Sequence, residues 1–252
     1  MSFNLESSGF PIALIKINDK KDKIVYLDEN SEGMTNYTQM KLNEGRFQYQ
    51  FNTNKERFIA YVVGQSGSGK SYWTAQIAQE YKKLYPKRDI FLLSYVDEDA
   101  SIDKVKGLKR IKLGEEFLST DLSSEDFKDS LVIFDDCDCI TDKKMKLKIK
   151  DILTKILQTG RHTKTSCIYL SHIACGGIDT KVILNEAHSI TFFPATMTGR
   201  TKDYLLKNYL GLNKKQQQKL ESIESDTRSI TIAKTYPSVI ITDKDLLITK
   251  TL

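Results

Sequence analysis

The stretch GQSGSGKS, Gly64 to Ser71, stands between an apolar run, RFIAYVV, and an amphipathic run, KSYWTAQIAQEYKKLY. It fits G-x-x-x-x-G-K-S/T at a strand-to-helix junction, the context in which that spacing cradles phosphate. Glycines at 64, 67 and 69 let the main chain close around phosphate oxygens, with successive N–H groups pointing inward at a helix N-terminus. Lys70 is placed to reach the β and γ phosphates, and the Ser71 hydroxyl to ligate Mg²⁺. The expected nucleotide contacts are Gly64, Gln65, Ser66, Gly67, Ser68, Gly69, Lys70, Ser71 and Tyr72.

From Arg57 onward, strand-like and helix-like runs alternate. DIFLLSY, SLVIFDD, TSCIYLS and HSITFF read as strands, and TDKKMKLKIKDILTKILQTG as a long helix stopping at Gly160. This alternation predicts an α/β fold with a mainly parallel sheet flanked by helices. Residues 1–56 read as an N-terminal β-rich extension with strands near Ile12–Ile17, Lys23–Leu27 and Phe47–Phe51. The core spans 57–195. Residues 196–252 add two short helices (Lys202–Leu210, Lys214–Ile223) and an antiparallel hairpin or three-stranded ribbon, expected to pack on the core as one compact domain.

LVIFDD ends in two carboxylates. On a buried strand that stops beside the phosphate loop, Asp135 is placed to hold the Mg²⁺ shell and Asp136 to take a proton from attacking water. The charges repel each other, and Mg²⁺ makes the pair tolerable. A guanine-reading N/T-K-x-D loop is missing, since NKKQ at Asn213 lacks the aspartate. A GTPase switch is therefore disfavoured.

GRHTKTSCIYLSH frames an apolar strand with Arg161-His162 before it and His172 after it. A strand that follows the DD strand commonly lies between it and the phosphate-loop strand, so its C-terminal end points at the γ-phosphate and His172 can sense hydrolysis. Arg161 lies up to about 36 Å away at roughly 3.3 Å per residue. It either belongs to a solvated turn or reaches a neighbouring subunit's nucleotide as an arginine finger.

These three segments together resemble the FtsK–HerA superfamily of P-loop (ASCE/RecA-like) ATPases. Within it they are most similar to the genome-packaging ATPases of large DNA viruses, virophages and polinton-like elements. The resemblance covers about residues 57–242 and rests on the double aspartate, R-H-x-x-x-S before the sensor strand, and K-x-Y-P at Lys234–Pro237. His172 stands where the superfamily usually has Gln, and Asp136 where many relatives have Glu. The resemblance implies ATP-driven translocation of double-stranded DNA by a homo-oligomeric ring of five or six subunits. It also implies a trans-acting Arg161, a capsid vertex partner, and a place in the virion or viral factory. A cellular-type DNA pump and a nucleotide-gated assembly protein with slow ATPase are the alternatives.

The net charge of +5 permits a polyanionic partner. Lys143, Lys144, Lys146, Lys148 and Lys150 cluster at the start of the long helix, opposite a stripe of Met145, Ile149, Ile152/Leu153 and Ile156. They form either a solvated face or a phosphate-contacting pore surface. No apolar run approaches the roughly 18 residues of a membrane span, and no secretory leader or membrane anchor is expected. Cys137, Cys139, Cys167 and Cys175 are read as buried thiols, with a zinc set of Cys137, Cys139, Cys175 and His172 as the weaker alternative.

Overall fold

In the computed structural model, residues 1–30, 38–175, 178–224 and 227–251 are described. Short apolar runs broken by Asn, Asp and Gly make the N-terminal segment a set of strands. These are β1 Ser2–Asn4, β2 Phe10–Lys16, β3 Lys23–Asp28, β4 Gln39–Lys41 and β5 Arg46–Tyr49. Four of them form an antiparallel sheet in the order β1-β3-β2-β5. The three-residue strands β1 and β4 carry too little pattern for the sequence to reveal them.

The next stretch holds β6 Ile59–Val63, α1 Lys70–Leu84, β7 Ile90–Ser94, β8 Leu108–Lys112 and α2 Glu115–Ser119. It continues with β9 Leu131–Asp135, α3 Lys143–Thr159, β10 Ser166–Ser171 and α4 Ile178–Glu186. Here the strands run parallel in the order β6-β10-β9-β7-β8. β6 and β9 are buried at every residue, as a sheet covered on both faces requires. β10 lies between β6 and β9, the place expected of it. β8 was not anticipated: LKRIK carries three basic residues, which suit an edge strand and mask its apolar signal.

The chain ends with β11 Ser189–Phe192, α5 Gly199–Asn208, α6 Lys214–Glu224, β12 Ile230–Ala233, β13 Val239–Ile241 and β14 Asp245–Ile248. β11 through β14 pair antiparallel in sequence order, and β4 adds to β14. The ribbon and both short helices fall where the sequence put them. Two compact units result, Glu56–Ala187 and a second made of Met1–Lys55 with His188–Leu252. The terminal segments, read from sequence as separate additions to one compact domain, thus share a unit. β11, assigned above to the core, groups with them.

α3 begins where the Asp142 carboxylate accepts from the Met145 N–H at 2.7 Å, capping the first turn. Met145, Ile149, Ile152, Leu153, Ile156 and Leu157 are buried along one face, the expected stripe. At its end Arg57 donates to the carbonyls of Ile156 and, at 2.7 Å, Leu157. Gly160 leaves room for this grip, because a Cβ there would stand 2.6 Å from Arg57 Nη1 and 2.3 Å from the Ile156 oxygen.

Candidate nucleotide site

The site is assembled by the C-terminal ends of three adjacent strands. Register places Val63 of β6 beside Ser171 of β10, and Phe134 of β9 beside Tyr169. Gly64 then donates its N–H to the Ser171 carbonyl at 3.1 Å, fastening the start of the phosphate loop to the end of β10. Gly67 and Gly69 take φ values of 74° and 114°, a region that strains any residue with a Cβ. Gln65, Ser66 and Gly67 face solvent, whereas Ser68 and Lys70 are buried. Tyr72, on the first turn of α1, is 53% exposed.

Lys70 donates to the carbonyls of Gly64 at 2.8 Å and Gln65 at 3.2 Å, and its Nζ lies 3.4 Å from His172 Nδ1. Burial pushes its pKa down, against the pull of Asp135, Asp136, Asp138 and Cys139. Asp135, at 4% exposure, moves the other way. Burial first, then the charges of Asp136 and Asp99, raise it to about 6 despite Lys70. The pocket thus holds more carboxylate than its one buried ammonium neutralises. A divalent cation held by Ser71 and Asp135 fits that surplus, and the amide-lined loop fits the phosphates that would carry it.

Asp136 sits at φ 53°, in the left-handed region that aspartate tolerates better than most residues. That kink ends β9 and turns the Asp136 carboxylate to His172, whose Nε2 lies 2.9 Å from Oδ1. Lys70, Asp136 and His172 are therefore brought together. Arg161 is not among them. It lies in the turn before the other end of β10, 81% exposed, with Glu56 at 3.7 Å. Buried Thr163 and Thr165 anchor that turn and leave Arg161 and His162 facing solvent.

Two acidic residues of this site were missed. Asp99, in the loop after β7, accepts from the Ser101 and Ile102 N–H groups at 2.8 and 2.7 Å and from the Ser71 hydroxyl. Burial works to raise its pKa, but these bonds and Arg110 outweigh it and leave it lowered. Asp138 accepts from Tyr169, Ser171 and the His172 main chain. The spacing D-x-S, a turn signal, and the third acid of DDCDC were the available hints.

Two expectations need correction. Lys148 is not open to a polyanion, because its ammonium donates to the carbonyls of Phe117, Leu118 and Thr120 at the end of α2 and sits 4.7 Å above the Phe117 ring. Lys143, Lys144, Lys146 and Lys150 are exposed. Cys139 is also exposed, whereas Cys137 and Cys167 are buried and Cys175 half-buried. Donor atoms of Cys139, His172 and Asp136 lie within 4.8 Å of one another, a different set from the zinc ligands considered above.

No protein-family model matches the sequence. The uncharacterized protein V3 of Sputnik virophage is 40% identical over 237 residues, 93% of each chain. The chain belongs to the V3 family. Among solved structures, this V3-family chain shares its fold with B204, the DNA-packaging ATPase of Sulfolobus turreted icosahedral virus. The TM-score is 0.52 at 13% identity, over 76% of this chain and 99% of that one. It also matches the cytoplasmic domain of the Thermomonospora curvata type VII secretion ATPase EccC, with a TM-score of 0.53 at 13% identity over 85% of this chain and 29% of that one. The P-loop ATPase fold read from the sequence is thus the fold observed.

Proposed function

We propose that this V3-family protein is an ATPase that drives double-stranded DNA into a viral capsid, working as a homo-oligomeric ring. The observation that carries the reading is the convergence of Lys70, Asp135, Asp136 and His172 at the ends of three adjacent strands. The virophage relative and the B204 fold support the packaging role, and the exposed lysines at the start of α3 support a contact with DNA phosphates.

In this reading the phosphate loop holds ATP, and bound Mg²⁺ neutralises charge on the phosphate oxygens. Lys70 leaves the Gly64 and Gln65 carbonyls for the β and γ phosphates. Ser71, now bonded to Asp99, and Asp135 would be the residues that hold the cation. Asp136 accepts the proton of the attacking water on a carboxylate oxygen, and His172, bonded to it, carries the change into β10. Arg161 serves the nucleotide of the next subunit. A capsid vertex protein is the expected partner, in the virion or the viral factory. Among the described residues, no helix is long and apolar enough to cross a membrane.

ATP turnover measured with and without double-stranded DNA tests the proposal. Turnover should rise with DNA. Slow turnover that ignores DNA would instead fit a nucleotide-gated assembly protein.

A further inference from the structure

Asp138 lies two residues beyond Asp136, yet its surroundings differ from those of the other two acids. The Asp136 kink and the one-turn 3-10 helix Cys137–Cys139 fold the chain back over the end of β10. Tyr169 Oη donates to Asp138 Oδ1 at 2.9 Å. Ser171 Oγ and the His172 main-chain N–H donate to Oδ2 at 2.6 and 3.0 Å. A carboxylate offers about four acceptor positions, so most of this one is spent on the last residues of β10 and its exit.

The same exit is held from the other side. Tyr61 donates to the Ile173 carbonyl at 2.7 Å, and the Ile173 N–H donates to Ser171 Oγ at 3.1 Å. Behind the clamp lies a cavity of about 290 Å³ whose lining includes Asp138, Tyr169, Ser171 and Ile173. If Asp138 let go, Tyr169, Ser171 and Ile173 would have this space beside them to move into.

The position of His172 decides where its proton resides. Lys70 is an ammonium with donors only, so Nδ1, 3.4 Å from it, accepts. With Nδ1 accepting, a neutral ring has its N–H on Nε2, 2.9 Å from Asp136 Oδ1. We propose that Asp138 is a positioning residue: it holds His172 between Lys70 and Asp136, keeps the proton on Nε2, and thereby aims the Asp136 carboxylate. This deepens the ATPase reading and rests on it. Errors of about 1 Å in such a constellation cost about 10²-fold in rate.

A double-mutant cycle tests the role. Asp138→Ala should lower kcat by about 10²-fold with ATP affinity retained, and should cost less than about threefold in a His172→Ala background. Asp138→Asn keeps an acceptor for Ser171 and the His172 N–H and should recover most of the rate. In the nucleotide-free protein, ¹⁵N NMR of labelled histidine should show His172 protonated on Nε2, and the two tautomers mixed in Asp138→Ala. Equal costs in both backgrounds would overturn the proposal, as would an Asp138→Asn variant as damaged as Asp138→Ala, since charge rather than position would then be at work. Should Asp138→Ala not fold, Tyr169→Phe combined with Ser171→Ala removes two of the three donors and must show the same dependence on His172. Unmodified protein without ATPase activity overturns the ATPase reading and this one together.

Discussion

Lys70 Nζ and His172 Nδ1 stand 3.4 Å apart, tying the phosphate loop to the end of β10. With His172 Nε2 on Asp136, the contact forms a chain from ammonium to imidazole to carboxylate. In the proposed ATPase, phosphates that draw Lys70 away would free one nitrogen of His172 and change the surroundings of Asp136 in the same step.

Removing the two ends of that chain should give opposite defects. Lys70→Ala deletes the buried cation facing the phosphates, so ATP affinity should fall by about 10²-fold in a calorimetric titration. Asp136→Asn keeps size and hydrogen bonding but loses the base. It should bind Mg²⁺ and ATP normally while turnover drops by about 10²–10⁴-fold. Loss of metal binding in Asp136→Asn, with Asp135→Asn spared, would mean that the two aspartates have exchanged roles.

If Asp135 holds the cation as proposed, its carboxyl links metal binding to pH. Its value is raised from 3.8 to about 6, so the folded chain holds this proton more tightly than the unfolded chain. That contribution favours the fold below about pH 4 and is lost as pH rises through about 6. Mg²⁺ must displace the same proton, so with ATP present its apparent affinity should be about tenfold weaker at pH 5 than at pH 7.5. Thermal melts with Mg²⁺ or EDTA at the two pH values measure this. Asp135→Asn should remove the difference, and an equally large magnesium shift at both pH values would refute it.

The lysines of α3 should separate into two classes. Neutralising Lys143, Lys144 and Lys146 together should weaken DNA binding and flatten its salt dependence, because fewer counterions are released. Lys148→Ala should leave that slope unchanged and cost about 1–2 kcal/mol of stability, since it strips the carbonyls at the end of α2 of their donor. Denaturant melts and DNA titrations at several salt concentrations distinguish them. A salt slope that responds only to Lys148 would reverse the assignment.

Arg161 should work across a subunit boundary. Fingers of this kind contribute about 10³–10⁵ in turnover, so Arg161→Ala should bind ATP and scarcely hydrolyse it. Mixed with Lys70→Ala, it should regain activity, because each protein supplies what the other lacks. Mixed rings that stay inactive would leave Arg161 an ordinary turn residue. His172→Ala should not be rescued in this way, since its ring faces its own Lys70 and Asp136.

The legible parts of this chain were those with local signatures. The phosphate loop, the double aspartate and the apolar face of α3 each show their pattern within a short run of consecutive residues, so spacing alone suggests a role. Asp138 and Asp99 were hidden because the contacts that bring them into the site come from elsewhere in the chain: Tyr169 and Ser171 lie 31 and 33 residues from Asp138, and Asp99 meets the site through Ser71 on α1. Lys148 misled for the same reason. Its sequence neighbours are lysines on a solvated face, while the carbonyls it binds belong to α2. The short β4 was invisible because its strand partner, β14, comes from the far end of the chain.

β10 separates the two ends of this chemistry by a fixed length. Its six residues, Ser166 to Ser171, span about 20 Å, with the His172 cluster past one end and the Arg161 turn before the other. Adding or removing one residue would swap the faces of the strand and point Ser171 away from Asp138. A two-residue change would keep the faces but move the arginine turn by about 7 Å relative to the sheet. The strand is a ruler that tolerates no odd step. If Arg161 serves a neighbouring subunit as proposed, any even step would have to be matched by the surface that receives it, and the length of one buried strand would then set the spacing between subunits.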